Sequence, residues 1–191
     1  MIAHLNGKII EKTPTSLIIE CNGIGYEVKV SLNTYSAIGA DTSILLFTQF
    51  VVREDAQLLY GFFAKEEREM FNYLVSVSGI GPNTAIIMLS SLVPEEIASA
   101  ILSEDVKTIQ GIKGIGAKTA QRVIVDLKDK VGKLNLLTTN ISNQGNTNRF
   151  DALTALVSLG FDKKMAEKTL DKLNTGSESV EELIKESLKR L

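Results

Sequence analysis

Two eight-residue stretches constrain this chain more than any other feature. Ser78-Gly79-Ile80-Gly81-Pro82-Asn83-Thr84-Ala85 recurs 35 positions later as Lys113-Gly114-Ile115-Gly116-Ala117-Lys118-Thr119-Ala120, with Gly, Ile, Gly, Thr and Ala shared. Each copy follows a helical segment and opens a new helix, the pattern of a tandem helix-hairpin-helix. The paired glycines let the backbone turn sharply and approach a ligand without a Cβ in the way. The helix that follows offers free N–H groups and its positive dipole end, which suits a phosphate. Ile80 and Ile115, between the glycines, are expected to point inward and pin each hairpin to the core. The candidate contacts are Gly79, Ile80, Gly81, Asn83 and Thr84 in the first copy, and Gly114, Ile115, Gly116, Lys118 and Thr119 in the second. Lys118 and Arg122, four apart, are placed to add charge-assisted contacts to the same strand. The first copy is the poorer binder, because Asn83 stands where the second has Lys118. A lone Gly-Ile-Gly is weak evidence: Gly23-Ile24-Gly25 is a third copy, yet it precedes an alternating strand and reads as a strand turn. The bland reading of the helical pair is two tight turns with no ligand. Repetition in one context favours DNA backbone binding instead. Such contacts read no bases, so recognition would be independent of sequence.

The charge balance narrows how a polyanion could be held. The 191 residues carry 21 basic and 23 acidic side chains, so a general basic surface for nucleic acid or anionic membrane is excluded, and a local patch or backbone groups must serve. Residues 1–63 hold four basic and six acidic side chains, which makes this segment the acidic part of the chain. No run of about eighteen apolar residues occurs, so no transmembrane helix is expected, and the first residues lack the order of a signal peptide. One cysteine, Cys21, and one histidine, His4, leave no ligand set for a thiolate or imidazole metal centre. The expectation is a cytoplasmic chain with no cofactor, no metal and no membrane partner.

The fold class expected is multidomain α+β. Residues 1–63 read as five strands. Tyr26, Val28, Val30 and Leu32 alternate with polar residues, Asn22-Gly23 marks a two-residue hairpin, and Ile44–Val52 is joined to Ala56–Phe62 through the charged tip Arg53-Glu54-Asp55. Five strands in that length fit a small barrel of the OB type. Residues 64–133 read as helices, with Pro94-Glu95-Glu96 opening one and Ser103 expected to cap another. Residues 134–148 are uncharged and turn-prone toward their end, which predicts a flexible linker. Residues 149–191 read as three short helices. Leu153, Leu156 and Val157 mark the first, ended at Gly160. Asp162 caps a second, bearing Ala166, Leu170 and Leu173. The pair Ser179 and Glu182 forms a capping box for a third, bearing Val180, Leu183, Ile184, Leu188 and Leu191.

With Val51-Val52-Arg53-Glu54-Asp55-Ala56-Gln57-Leu58-Leu59-Tyr60-Gly61-Phe62, the tandem hairpins, the opening Met-Ile and the linker plus three-helix tail, the chain resembles the RuvA family along essentially its full length. These are the Holliday junction-binding subunits of the bacterial RuvAB branch-migration machine. The resemblance implies a homotetramer, one or two of which hold an open four-way junction. It also implies RuvB hexamers as the ATPase motors on opposite arms, and RuvC as a protein that shares the junction. It assigns Glu54 and Asp55 to an acidic pin that repels phosphates at the junction's centre; on turn composition alone they read as a solvated hairpin tip. It makes the tail a UBA-like bundle that tethers RuvB. Leu156, Leu159, Phe161 and Leu188 are the candidate docking residues there, and helical spacing allows Leu156 and Leu188 to be core instead. Lys113 before the second Gly-Ile-Gly, and Asn83 in the first loop, depart from the pattern expected of the family.

Two other classes compete. Some helix-hairpin-helix proteins are glycosylases that use a lysine or aspartate near the motif. Asp126 is the candidate here, but it sits in a regular amphipathic helix with no evident partner and reads as surface charge. No phosphate-loop signature occurs, so the chain is not expected to hydrolyse ATP or to be an enzyme. A single-strand or RNA-binding OB module would offer exposed aromatics and basic residues, whereas this barrel segment is acidic and the chain has no tryptophan. Preference among four-way junction, duplex and single strand separates the three.

Overall fold

Alternating side chains in the first sixty residues become five strands: β1 (His4–Lys12), β2 (Ser16–Cys21), β3 (Ile24–Val30), β4 (Ser43–Val52) and β5 (Gln57–Phe62). They close a barrel in the order β1-β2-β3-β5-β4, antiparallel throughout except for β3 with β5, which run parallel through Lys29–Tyr60 and Val30–Gly61. Asn22 (φ 51°) and Gly23 (φ 83°) form the two-residue β2–β3 turn, with Cys21 opposite Ile24. Positive φ at both central positions matches the twist of the flanking strands. The third Gly-Ile-Gly is therefore part of a strand turn, as its context implied. The computed structural model describes residues 1–139, 144–173 and 179–190, and it divides into two compact units, Met1–Lys133 and Leu134–Leu191.

Inside the first unit the barrel and the helices share a strand. Leu59 packs in the barrel core with Leu17, Ile19, Val28 and Leu46, while Tyr60 and Phe62 pack in the helical core. Period-two alternation thus places successive residues of β5 in two different interiors. Phe71 receives both aromatics, with ring centroids 5.1 Å from Tyr60 and 5.0 Å from Phe62. The helices are α2 (Lys65–Val75), α3 (Pro82–Ser91), α4 (Pro94–Leu102), α5 (Val106–Gln110) and α6 (Ala117–Thr139). Pro94 opens α4 with Glu95 and Glu96 in its first turn, as predicted. Ser103 does not cap a helix start; it closes α4, and Asp105 caps α5. The aspartate brings two acceptor oxygens to that end. Its Oδ1 accepts from the Thr108 amide at 3.1 Å and its Oδ2 from the Thr108 hydroxyl at 2.6 Å. These bonds hold the Asp105 carboxyl below its ordinary range.

A short helix between β3 and β4, α1 (Leu32–Ile38), is not legible as periodicity because it spans two turns. The alternation read through Leu32 stops at Val30, because Ser31 caps α1 and accepts from the Thr34 amide at 3.0 Å. This helix clasps the far end of α3: Asn33 Nδ2 donates to the carbonyls of Leu89 (2.6 Å) and Leu92 (3.2 Å), groups that a helix end leaves unpaired. Ser31 and Thr34 also donate their hydroxyls to the two carboxylate oxygens of Glu67 on α2, the Thr34 bond at 2.5 Å. Glu67 is buried. Burial pushes its carboxyl above the ordinary value against the pull of these two hydroxyls. On the barrel's outside, Arg68 of α2 donates to the Ala3 carbonyl at 3.1 Å and lies 5.5 Å from the Phe47 ring centroid.

Helix runs into both ends of the segment expected to be a linker. α6 continues to Thr139 and α7 (Gln144–Ser158) starts at Gln144, while residues 140–143 lie outside the described residues. Propagation adds a backbone bond per residue once a helix exists, and Leu134, Leu136 and Leu137 are good helix formers. In the second unit α7, α8 (Lys163–Leu173) and α9 (Val180–Leu188) pack through Ala152, Leu153, Leu156, Ala166, Leu170 and Leu183. The predicted caps are present: Gly160 (φ 95°) ends α7, Asp162 Oδ1 accepts from the Met165 amide at 3.1 Å, and Ser179 with Glu182 forms the capping box of α9. Leu191, read as part of the last stripe, lies outside the described residues.

Glu67 yields a pH prediction. A carboxyl whose pKa is raised by folding binds its proton more tightly in the native state, so its favourable contribution is full at acid pH and is lost as pH rises through the raised value. In urea unfolding, wild type is expected to lose stability relative to Glu67→Gln as pH climbs above the ordinary glutamate range. At neutral pH, Glu67→Ala is expected to cost about 2 to 3 kcal/mol, because two buried hydroxyls lose their acceptor.

Candidate nucleic-acid interface

The two glycine hairpins fold alike, residue for residue. Ile80 N donates to the Val77 carbonyl at 3.0 Å and Ile115 N to the Ile112 carbonyl at 3.1 Å, so each loop is closed by the same turn. Gly79 (φ 96°) and Gly114 (φ 90°) occupy the region that side chains avoid, and no atom stands within 4 Å of a Cβ built at either. Glycine here is required by backbone conformation, not by crowding. Ile80 and Ile115 point inward and are buried, as predicted, in one core with Val77, Ile112, Ala85 and Ala120.

After each loop a helix begins without help. Ala85 N bonds the Gly81 carbonyl at 3.0 Å and Ala120 N the Gly116 carbonyl at 2.9 Å, so the amides ahead of them face out of the helix end. No side chain caps α3, and Pro82 at its first turn removes one donor that would have been orphaned. Asn83 and Thr84 carry the remaining amides. In α6 Lys118 is exposed, with Thr119 beside it. The two helix ends therefore present N–H groups and dipole to solvent, the arrangement that favours an anion.

Three contacts tie these ends to their surroundings. Arg122, one turn after Lys118 on α6, donates its Nη1 to the Ser78 carbonyl at 3.3 Å, so the second hairpin's helix reaches across to the first hairpin's loop. Lys130, farther along α6, donates to Ser76 Oγ at 3.2 Å. Asn83 Oδ1 accepts from the Tyr60 hydroxyl of β5 at 3.0 Å. Burial raises the Tyr60 phenol's pKa, with the Arg53 charge pulling against it. Sequence reasoning misses both Lys130 and Tyr60. They act across the fold, over separations that carry no local signal.

The other predicted residues divide. Glu54 and Asp55 are exposed at the β4–β5 tip, which closes through an Arg53 N bond to the Ala56 carbonyl at 2.8 Å. In the second unit Leu159 is 62% exposed and Leu188 44%, and Phe161 is half-buried. Leu156 is fully buried, which corrects its place among the candidate surface residues. It belongs to the core because the Phe161 amide bonds the Leu156 carbonyl at 3.2 Å around Gly160, folding Phe161 back over the end of α7. Among the described residues no group of three His, Cys, Asp or Glu side chains could hold a metal ion, and no single helix is long and apolar enough to cross a membrane.

Comparison with known proteins covers the same ground. The family described as RuvA N terminal domain matches residues 1–61, the SAM-like helix-hairpin-helix tandem matches 71–129, and the RuvA C-terminal domain matches 147–191. A protein of Flavobacterium psychrophilum is 51% identical over 193 residues, covering all of both chains. One of Christiangramia forsetii is likewise 51% identical over both full lengths, and one of Cytophaga hutchinsonii is 49% identical over 99% of each chain. All three are named Holliday junction branch migration complex subunit RuvA.

Since Gly79 and Gly114 face open space at positive φ, Gly79→Ala and Gly114→Ala are each expected to lower stability by about 1 to 2 kcal/mol through backbone strain alone. Gly116→Ala, which meets neither strain nor a neighbour, is expected to leave it unchanged. Urea unfolding of the three variants distinguishes these outcomes.

Proposed function

The chain belongs to the RuvA family, and from that premise we propose that it recognises four-way Holliday junctions without regard to sequence, holds them open, and recruits the RuvB motor for branch migration. One observation carries the reading: two helix ends with outward amides, equivalent in backbone, cross-tied by Arg122 to Ser78. Each end is a seat for a backbone phosphate, and two seats at a fixed spacing measure the geometry of a duplex arm and not its bases. Lys118 and Thr119 serve the second seat; Asn83 and Thr84 serve the first, with Arg122 between them. Gly79, Gly81, Gly114 and Gly116 let the strand come close, while Ile80 and Ile115 hold the loops from beneath.

In a homotetramer, four copies of Glu54-Asp55 would meet at the centre of the junction. Carboxylates there repel phosphates and steer strands into separate arms, most strongly where water is excluded. In the second unit, the exposed Leu159 and Leu188 and the half-buried Phe161 are the docking residues for RuvB. Tethering that unit to the junction-bound part raises the motor's local concentration. RuvC is a further partner at the same junction. The chain itself is a non-catalytic, cytoplasmic scaffold, and ATP hydrolysis belongs to RuvB.

Gel-shift competition is the test. Junctions of equal arm length and unrelated sequence are expected to bind equally, and duplex or single strand more weakly; strong sequence dependence or single-strand preference would overturn the reading. Gly116→Ala is expected to weaken junction binding about tenfold or more while the protein stays folded, because its Cβ blocks the approach of a phosphate to the amides. Replacing both Glu54 and Asp55 by Asn is expected to leave junction binding intact or tighter and to alter RuvB-driven migration; an unchanged migration rate removes the pin role.

A further inference from the structure

We propose that Arg53, at the root of the barrel's acidic hairpin, supplies the first glycine hairpin with the phosphate-binding cation that its own sequence lacks. The inference rests on the reading of the hairpins as phosphate seats and adds a residue from another domain to one of them.

The two hairpins match in backbone but not in charge. The second places Lys118 two residues after Gly116; the first places Asn83 at the equivalent position, and its side-chain oxygen is taken by Tyr60. A cation is nonetheless beside that loop. Arg53 Nη2 lies 4.0 Å from where a Cβ on Gly81 would stand, the only approach that near from outside the loop's adjoining residues among the described residues. This is the side from which a strand would have to approach the α3 amides.

The position of Arg53 is built, not incidental. Its amide closes the hairpin tip on the Ala56 carbonyl, which fixes the residue at the end of β4. Glu54 and Asp55 follow it directly in the chain, yet Arg53 forms no ion pair among the described residues. Its guanidinium is instead near enough to the Tyr60 phenol to act on it. A side chain that bypasses two adjacent carboxylates for a glycine loop is free to meet an anion there, and the planar fork of five N–H donors suits two oxygens of a phosphodiester. With Arg122 on Ser78 at the loop's other flank, the first hairpin is served by two arginines, neither of them its own. The barrel and the helical repeat then grip one strand jointly, and the carboxylates of the tip stand next to a bound phosphate.

The test measures four-way junction binding by the full chain across a salt series, using Arg53→Gln, Arg53→Gln with Asn83→Lys, and Lys118→Gln. Arg53→Gln is expected to weaken binding about tenfold and to reduce the slope of log affinity against log salt by about one for each seat lost. Adding Asn83→Lys, which puts a cation where the second hairpin has one, is expected to restore most of both; recovery by a charge at another residue is something a structural role for Arg53 would not give. If Arg53→Gln binds within twofold of wild type, or tighter, while Lys118→Gln weakens binding about tenfold, the inference falls and the reading of the hairpins stands. If Arg53→Gln weakens binding but Asn83→Lys fails to restore it, Arg53 does not act at the first hairpin and the inference falls. If neither Arg53→Gln nor Lys118→Gln changes affinity or salt slope, the phosphate-seat reading itself fails.

Discussion

A helix that begins without a cap leaves backbone donors with no partner inside the protein. This chain accepts that condition at α3 and α6, and the rest of the first unit keeps the two exposed ends in place. Ile80 and Ile115 anchor the loops from below, and burial of such side chains is worth several kcal/mol each, as losses of about 2 to 5 kcal/mol on truncation to alanine indicate. Arg122 and Lys130 tie α6 to the first hairpin from above, through Ser78 and Ser76. The amides are left to water, open to exchange it for an anion.

The barrel is part of that restraint. α1 holds the carboxyl end of α3 through Asn33, while Tyr60 holds its amino end through Asn83. The same helix is therefore fixed at both termini by the neighbouring domain. Glu67 adds a buried carboxylate to the same seam, bonded by Ser31 and Thr34. Such a group adds little net stability compared with a well-packed apolar pair, since its desolvation offsets its hydrogen bonds. It does demand one alignment of Ser31 and Thr34, which a greasy contact would not.

Local patterns are legible in this sequence and distant partners are not. Asn22-Gly23, the alternation of β3, Pro94, Asp162, and the Ser179–Glu182 box each encode their geometry within a few residues, and the structure realises them. The glycine repeat is readable because it occurs twice at a fixed spacing with its isoleucine inside. Ser103 misleads because a serine before two acids is a good cap in isolation, yet Asp105 has two oxygens within reach of Thr108. Leu156 misleads because periodicity places a leucine on a stripe without saying how completely three helices will close over it. Arg122 announces itself by its spacing from Lys118, but its partner, a carbonyl 44 residues earlier, lies beyond any window. Tyr60 and Glu67 carry signals only after the barrel and the helices are brought together.

The sharing of β5 between two interiors has a consequence for how the chain assembles. β4 and β5 are the last barrel strands to be made, and β5 must pair with both β3 and β4 to close it. Until residue 62 has left the ribosome, β1, β2 and β3 form an open sheet whose free edges are exposed to other nascent chains. Tyr60 and Phe62 then find no cover until Phe71 and its helix follow. A chain halted between residues 62 and 70 would therefore hold two large aromatic side chains without the ring that covers them in the finished fold.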